Sequence, residues 1–369
     1  HLGEGSIEVK FNDNIAAITT LKKIESENRL AAPEEQKILV RYVGWGGMPQ
    51  AFNYHEQEGW RERTKQLAAL LTEAEYDAAR ASTTNAHYTA PKVVSAMWDA
   101  VRRLGFKGGR TLEPGVGSGN FFGLMPDDLM RASKLTGVEL DSLTARIAKQ
   151  LYQQASIVNK GYQDATYPQG FFDLTISNVP FSEADHPVDK KYNKERLNLH
   201  DYYFRKSIEL TRPGGLIAFI TSKGTMDKLD TKARSLFADK ADFLGAIRLP
   251  QDAFSENANT TVTTDIIFLR RKVDGVKFEG SPWLNTAKMD LPEAGSENKF
   301  DTTALPVNEY FATPEGKEML LGRLVMRRGR YGNASEVALE SDGRDIGKAI
   351  GEAIANLPEN VVIETSRVK

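Results

Sequence analysis

The chain has 369 residues, 40% of them hydrophobic and 27% charged, with a net charge of −2 and no cysteine. This composition fits one large globular unit with appendages, and the missing thiols exclude disulfides, thiolate metal sites and cysteine nucleophiles. The near-neutral balance excludes wholesale attraction to nucleic acid, so any such contact must come from local patches. No apolar run approaches the length of a membrane span, and the polar, acidic start does not read as a secretory leader. Because the chain opens on His1 rather than Met, it is expected to be a fragment of a larger protein.

Residues 1–84 read as a helical N-terminal region. Ile15, Ile18, Leu21 and Ile24 recur at helical spacing. Pro33 suits the first turn of a second helix, which Gly44-Trp-Gly-Gly47 stops. Thr72-x-x-Glu75 reads as a capping box, and Trp45 and Trp60 read as core. Pro91 then opens a helix with Val93, Val94, Met97, Trp98 and Val101 on one face.

From Arg110 strands and helices alternate. The predicted strands are 110–113, 135–140, 156–158, 172–177, 216–221, 243–249 and 265–270. The predicted helices are 141–154, 201–211 and 232–240. Alternation of this kind means a mostly parallel sheet covered on both faces, with ligands at the carboxyl ends of its strands. No helix separates the last two strands, which predicts an antiparallel hairpin at one edge. The expected fold is therefore α/β, a doubly wound, mostly parallel seven-stranded Rossmann-like sheet spanning 85–272. Residues 273–369 are richer in Gly, Pro, Ser and Asn. They read as an irregular extension with one amphipathic helix near Ile346–Leu357, preceded by Arg323, Arg327, Arg328 and Arg330.

The first strand runs into Glu113-Pro-Gly-Val-Gly-Ser-Gly-Asn120, a turn with glycines at 115, 117 and 119. A strand ending in such a turn offers free N–H groups to a ligand. A dinucleotide fingerprint needs its third glycine where Asn120 stands, Glu113 disfavours a phosphate, and no Lys-Ser/Thr pair makes a P-loop. The pattern suits a cationic or zwitterionic nucleoside-like ligand such as S-adenosylmethionine. Glu139, at the end of the second strand, is placed to accept from both hydroxyls of a ribose, and Asp141 could share that task. Asp164, after the third strand, could accept from an adenine amino group.

The fourth strand ends in Asn178-Val179-Pro180-Phe181. The Asn178 amide and the Val179 backbone each bring a carbonyl acceptor. Pro180 stiffens the turn, and Phe181 offers a ring for a flat group. Two acceptors gripping an exocyclic amine draw its nitrogen toward tetrahedral geometry and localise the lone pair, which can then attack a sulfonium methyl in line.

With these residues the chain resembles the adenine-N6 DNA methyltransferases, specifically the group in which a Tyr-Thr-x-Pro segment precedes the glycine turn. The resemblance covers about 85–272. It implies transfer of a methyl group from S-adenosylmethionine to the N6 amine of an adenine flipped out of DNA, without a metal. It implies Asn178, Val179, Pro180 and Phe181 as the catalytic tetrapeptide. It implies cofactor contacts at Tyr88, Thr89, Pro91, Glu113, Pro114, Gly115, Gly117, Ser118, Gly119, Asn120, Phe121, Glu139 and Asp164. The family usually has proline where this chain has Val179; valine keeps the backbone carbonyl on which the role depends.

The flanks, Leu2-Gly-Glu-Gly, Tyr42-Val-Gly-Trp-Gly-Gly, Val307-Asn-Glu-Tyr-Phe and Leu321-Gly, resemble the N-terminal part of very large phage- or plasmid-borne methyltransferase–helicase antirestriction proteins. That implies a helicase-like domain in the same full-length chain, a cytoplasmic bacterial setting and no membrane partner. The segment 183–200, with Lys190, Lys191, Lys194 and Arg196, is placed to touch phosphates. Two other readings are a methyltransferase for a protein glutamine or an RNA base, and a non-catalytic cofactor-binding module of an antirestriction particle.

Overall fold

The computed structural model describes residues 5–53, 59–84, 89–182, 185–251, 253, 262–296, 301–328 and 335–365. Its N-terminal region is helical, as expected: α1 (Ile7–Ser26), α2 (Pro33–Leu39), α3 (Arg61–Leu70) and α4 (Glu73–Ala81). The Ser6 hydroxyl accepts from the Val9 N–H and caps α1. At α4 the Thr72 hydroxyl accepts from the Glu75 N–H while the Glu75 carboxylate accepts from the Thr72 N–H, the reciprocal box read from the sequence. Trp45 and Trp60 are buried and pack edge-on against Phe11.

The sheet comprises α5 (Pro91–Arg103), β1 (Arg110–Pro114), α6 (Asn120–Gly123), α7 (Asp127–Arg131), β2 (Lys134–Glu139), α8 (Ser142–Leu151), β3 (Ser156–Asn159), β4 (Phe172–Asn178), α9 (Leu199–Leu210), β5 (Thr211–Ser222), α10 (Gly224–Asp227), α11 (Lys232–Lys240), β6 (Ala241–Leu249) and β7 (Thr264–Arg271). The strand order is β3-β2-β1-β4-β5-β7-β6. The pairings from β3 to β5 are parallel, and β7 runs antiparallel to both of its neighbours. The doubly wound α/β sheet expected from the alternation is the one found. The antiparallel pair also appears, but β7 is inserted beside β5 and β6 takes the edge.

Strands β4 to β7 are buried along nearly their whole length, which is why they read as near-continuous apolar runs. After β1 the chain steps outward to β2 and β3, then returns to the other side of β1 as β4. That reversal opens a crevice at the carboxyl ends of β1 and β4, the place where such sheets bind ligands. The N-terminal helices share their apolar cluster with Leu143 and Ile147 of α8.

Beyond residue 272 the structure departs from the irregular extension expected. Two antiparallel hairpins form, β8 (Thr286–Pro292) with β9 (Thr302–Asn308) and β10 (Arg323–Arg328) with β11 (Ser335–Glu340). The expected amphipathic helix is α12 (Ile346–Ile354), which buries Ala349, Ile350, Ala353 and Ile354 and packs on α5. The segment after it runs along the sheet domain. The Arg270 and Arg212 guanidinium groups donate to the carbonyls of Val361 and Ile363, at 2.8 and 2.6 Å.

Candidate active site

Glu113 closes β1 almost fully buried. The N–H groups of Gly115 and Val116 both donate to the Val138 carbonyl, at 2.8 and 2.9 Å, which folds the turn over the end of β2. Gly117 and Gly119 have φ of +54° and +87°, where side chains are strained. A Cβ on Gly119 would lie 2.1 Å from a Tyr152 ring carbon, so packing as well as conformation demands glycine there. A Cβ on Gly117 would meet nothing within 4 Å among the described residues, which leaves room beside the turn. Ser118 and Asn120 are half-buried on the same loop, whereas the Phe121 side chain lies in the core and its carbonyl accepts from the Trp98 indole. Phe121 therefore reaches the loop only through its backbone.

Glu139 faces this turn from β2. Its carboxylate accepts from the Gly117 N–H at 2.8 Å and the Asp141 N–H at 2.9 Å. Burial nonetheless pushes its carboxyl up to about 7. Glu113 is pushed well above the usual carboxylate range by burial and then by the Glu139 charge, and its Oε2 has no partner among the described residues. Two desolvated carboxyl groups next to one glycine turn make a socket for a cation or for hydroxyl donors. Asp141 plays a different part from the one envisaged: it caps α8 by accepting from the Thr144 N–H at 2.8 Å. Asp164 ends a single turn after β3, is exposed, and accepts from the Gln163 amide.

The acceptor side is built at the end of β4. The Ser177 hydroxyl donates to the Pro114 carbonyl at 3.2 Å, tying β4 to β1 at their carboxyl ends. A Cβ placed on Gly115 would lie 4.0 Å from Pro180 Cδ and 4.0 Å from Tyr203 Cε1. The glycine turn and the Asn-Val-Pro-Phe turn are thus neighbours, and Tyr203 on α9 adjoins the glycine turn. Sequence reading passed over Tyr203, because a tyrosine in an amphipathic helix reads as core.

The Asn178 amide is oriented from one side. Its Nδ2 donates to the Thr89 hydroxyl at 2.9 Å, while its Oδ1, buried, has no partner among the described residues. Thr89, just before α5, is buried, and Pro91 is the first residue of that helix. Tyr88 lies outside the described residues. Phe181 and Pro180 are half-buried.

Val179 is buried, and its N–H donates to the Ile220 carbonyl of β5 at 3.1 Å, a ladder bond that proline could not make. Val179→Pro should lower stability by about 1–3 kcal/mol, because the Ile220 carbonyl loses its donor. Denaturant unfolding checks this, and equal stability would show the bond to contribute nothing.

The segment after the tetrapeptide is anchored rather than loose. Asp189 accepts from the Tyr202 hydroxyl at 2.6 Å and from Lys206 at 3.1 Å, and Lys191 is paired with Glu209. Lys190, Lys194 and Arg196 are exposed. In the C-terminal basic cluster Arg323 is paired with Glu340, and Arg330 lies outside the described residues.

No family model matches the chain. It is similar to the Defense against restriction protein B of Escherichia phage P1, 25% identical over 279 residues, which cover 73% of this chain and 11% of that much longer protein. Among solved structures it is similar to one described as a class I S-adenosylmethionine-dependent methyltransferase from Listeria monocytogenes, at 14% identity and a TM-score of 0.47, covering 74% of this chain and 91% of that one. It is also similar to the methyltransferase subunit of a type I restriction-modification system from Streptococcus thermophilus, at 15% identity and a TM-score of 0.41, covering 71% of this chain and 66% of that one.

Proposed function

We propose that this chain transfers a methyl group from S-adenosylmethionine to the N6 amine of an adenine flipped out of DNA, as one segment of a larger antirestriction protein. The observation that carries the proposal is the Asn178 carbonyl oxygen, buried without a partner among the described residues at a turn packed against the glycine turn. The residues fit the cofactor. Glu113 and Glu139 would face its cationic and hydroxyl-bearing parts, and the space beside Gly117 leaves its backbone approachable.

When bound, the cofactor supplies a methyl group already carried on a good leaving group. The chain supplies orientation. Thr89 holds the Asn178 amide so that Oδ1 points away from it, and Oδ1 with the Val179 carbonyl accepts the two N–H bonds of the amine. Pro180 keeps that pair beside Gly115. A base stacked on Phe181 recovers about 1–3 kcal/mol of the unstacking cost. The exposed Lys190, Lys194 and Arg196 would meet phosphates beyond the pocket.

Tritiated cofactor with unmethylated duplex DNA should label the DNA, and digestion should return N6-methyldeoxyadenosine. Label confined to RNA or protein would contradict the substrate, and no label anywhere would contradict the activity.

The Glu139 carboxyl adds a pH dependence. Its folded value of about 7 stands above the ordinary 4.5, so the ligand-free protein binds more protons than its unfolded chain in that window and loses stability as pH rises from about 4.5 to about 7. A ligand that donates hydrogen bonds to the carboxylate has the opposite trend. Its affinity should rise up to about tenfold per pH unit below 7 and level off above. S-adenosylhomocysteine titrated at several pH values should show this rise in the parent and a flat profile in Glu139→Gln. A parent profile flat from pH 5.5 to 8 would remove Glu139 from the site.

A further inference from the structure

We infer that Tyr203 of α9 is a wall of the methyl donor's nucleoside pocket, its ring lying against the purine. The inference rests on the cofactor reading above and names a residue that reading does not use. Three separate parts of the chain are expected to touch the nucleoside: the glycine turn, the acid at the end of β2, and the turn after β3. Tyr203 lies beside the first and packs on the residue that opens the third. Its Cε1 stands 4.0 Å from where a Gly115 Cβ would be. Its phenol is raised above its ordinary range by burial and then by the charge of Glu139. Its ring lies 4.8 Å, centroid to centroid, from that of Tyr162, which opens the single turn ending at Asp164, with the planes tilted by 38°.

A side chain that lies beside the glycine turn and against the residue opening the turn after β3 borders the space between them. The helix supports this placement. Tyr202, one position earlier, is buried in the Asp189–Lys206 network, and Phe204, one position later, is buried against Phe219 and Phe237. Tyr203 itself is only half-buried, so it is the aromatic of this run turned toward the crevice rather than the core. An aromatic face at that place suits a flat base.

The test is calorimetric titration of the full chain with S-adenosylhomocysteine. Tyr203→Ala and Tyr203→Leu should each weaken binding by about tenfold or more, while Tyr203→Phe, which keeps the ring, should stay within about threefold of the parent. Leucine preserves most of the buried volume, so the leucine and phenylalanine variants separate stacking from packing if the alanine variant fails to fold. Leucine and alanine variants that bind like the parent would overturn the inference. So would tighter binding by either, which would mean that the ring occupies the ligand's place. Both of those results leave the cofactor reading standing. A parent protein that binds no S-adenosylhomocysteine would end the reading and the inference together.

Discussion

Asn178→Ala should lower the rate of methyl transfer at least about a hundredfold while leaving affinity for S-adenosylhomocysteine within about threefold. The asymmetry follows from the position of the amide. Its nitrogen is engaged by Thr89 at 2.9 Å, so the side chain cannot swing freely, and its oxygen is a buried acceptor with no partner among the described residues. Such an atom contributes little until an N–H arrives, and most when the amine is being drawn toward tetrahedral geometry. The proposed donor socket stands on β1 and β2 and uses other atoms. Thr89→Val should show a smaller loss of the same kind, because the oxygen stays but its aim relaxes. Cofactor affinity that falls as far as the transfer rate would contradict the division of labour between the two turns.

Asp265→Ala should destabilise the fold by about 3–5 kcal/mol in denaturant unfolding. Arg248 of β6 is fully buried, and its guanidinium donates to both oxygens of Asp265 at 2.8 Å and to both oxygens of Asp227 at 2.8 and 3.0 Å. It also lies 4.3 Å from the centroid of the Phe311 ring, and Asp227 accepts from the Asn308 N–H at 2.9 Å. The cluster therefore links the antiparallel side of the sheet to the end of β9. Removing Asp265 leaves a buried cation with half of its partners. The unfolding should remain a single transition, since sheet and hairpin lose the same anchor. A loss below about 1 kcal/mol would show that the aspartate contributes little.

The sheet was legible because its strands are buried on both faces and its turns carry glycine or Asn-Pro chemistry. The predicted strand ends at Glu113, Leu140 and Ser177 fall within a residue of those found. The two hairpins beyond residue 272 were not legible. β8 alternates polar and apolar residues from Thr286 to Leu291, but it buries little beyond Leu291 and is flanked by Gly-, Pro- and Ser-rich stretches that read as loop. The position of β7 between β5 and β6 was also hidden, because short antiparallel connections leave strand order open.

In the candidate site the two turns singled out from the sequence lie side by side, but the contacts of several residues were not foreseen. Asp141 caps a helix, Phe121 faces the core, and Lys191 pairs with Glu209. Each is a tertiary choice that residue type alone leaves open. Tyr203 shows the converse: nothing in its local pattern separates it from the buried tyrosine beside it, and only its half-buried place beside Gly115 does.

A crystal structure of the full chain with sinefungin, whose amine stands where the donor's methyl does, tests the central claim most directly. The account predicts the nucleoside between Gly115, Glu139 and Tyr203, with the amine directed at Asn178 Oδ1. An occupied site elsewhere on the sheet, or an amine pointing away from the Asn178 turn, would contradict it.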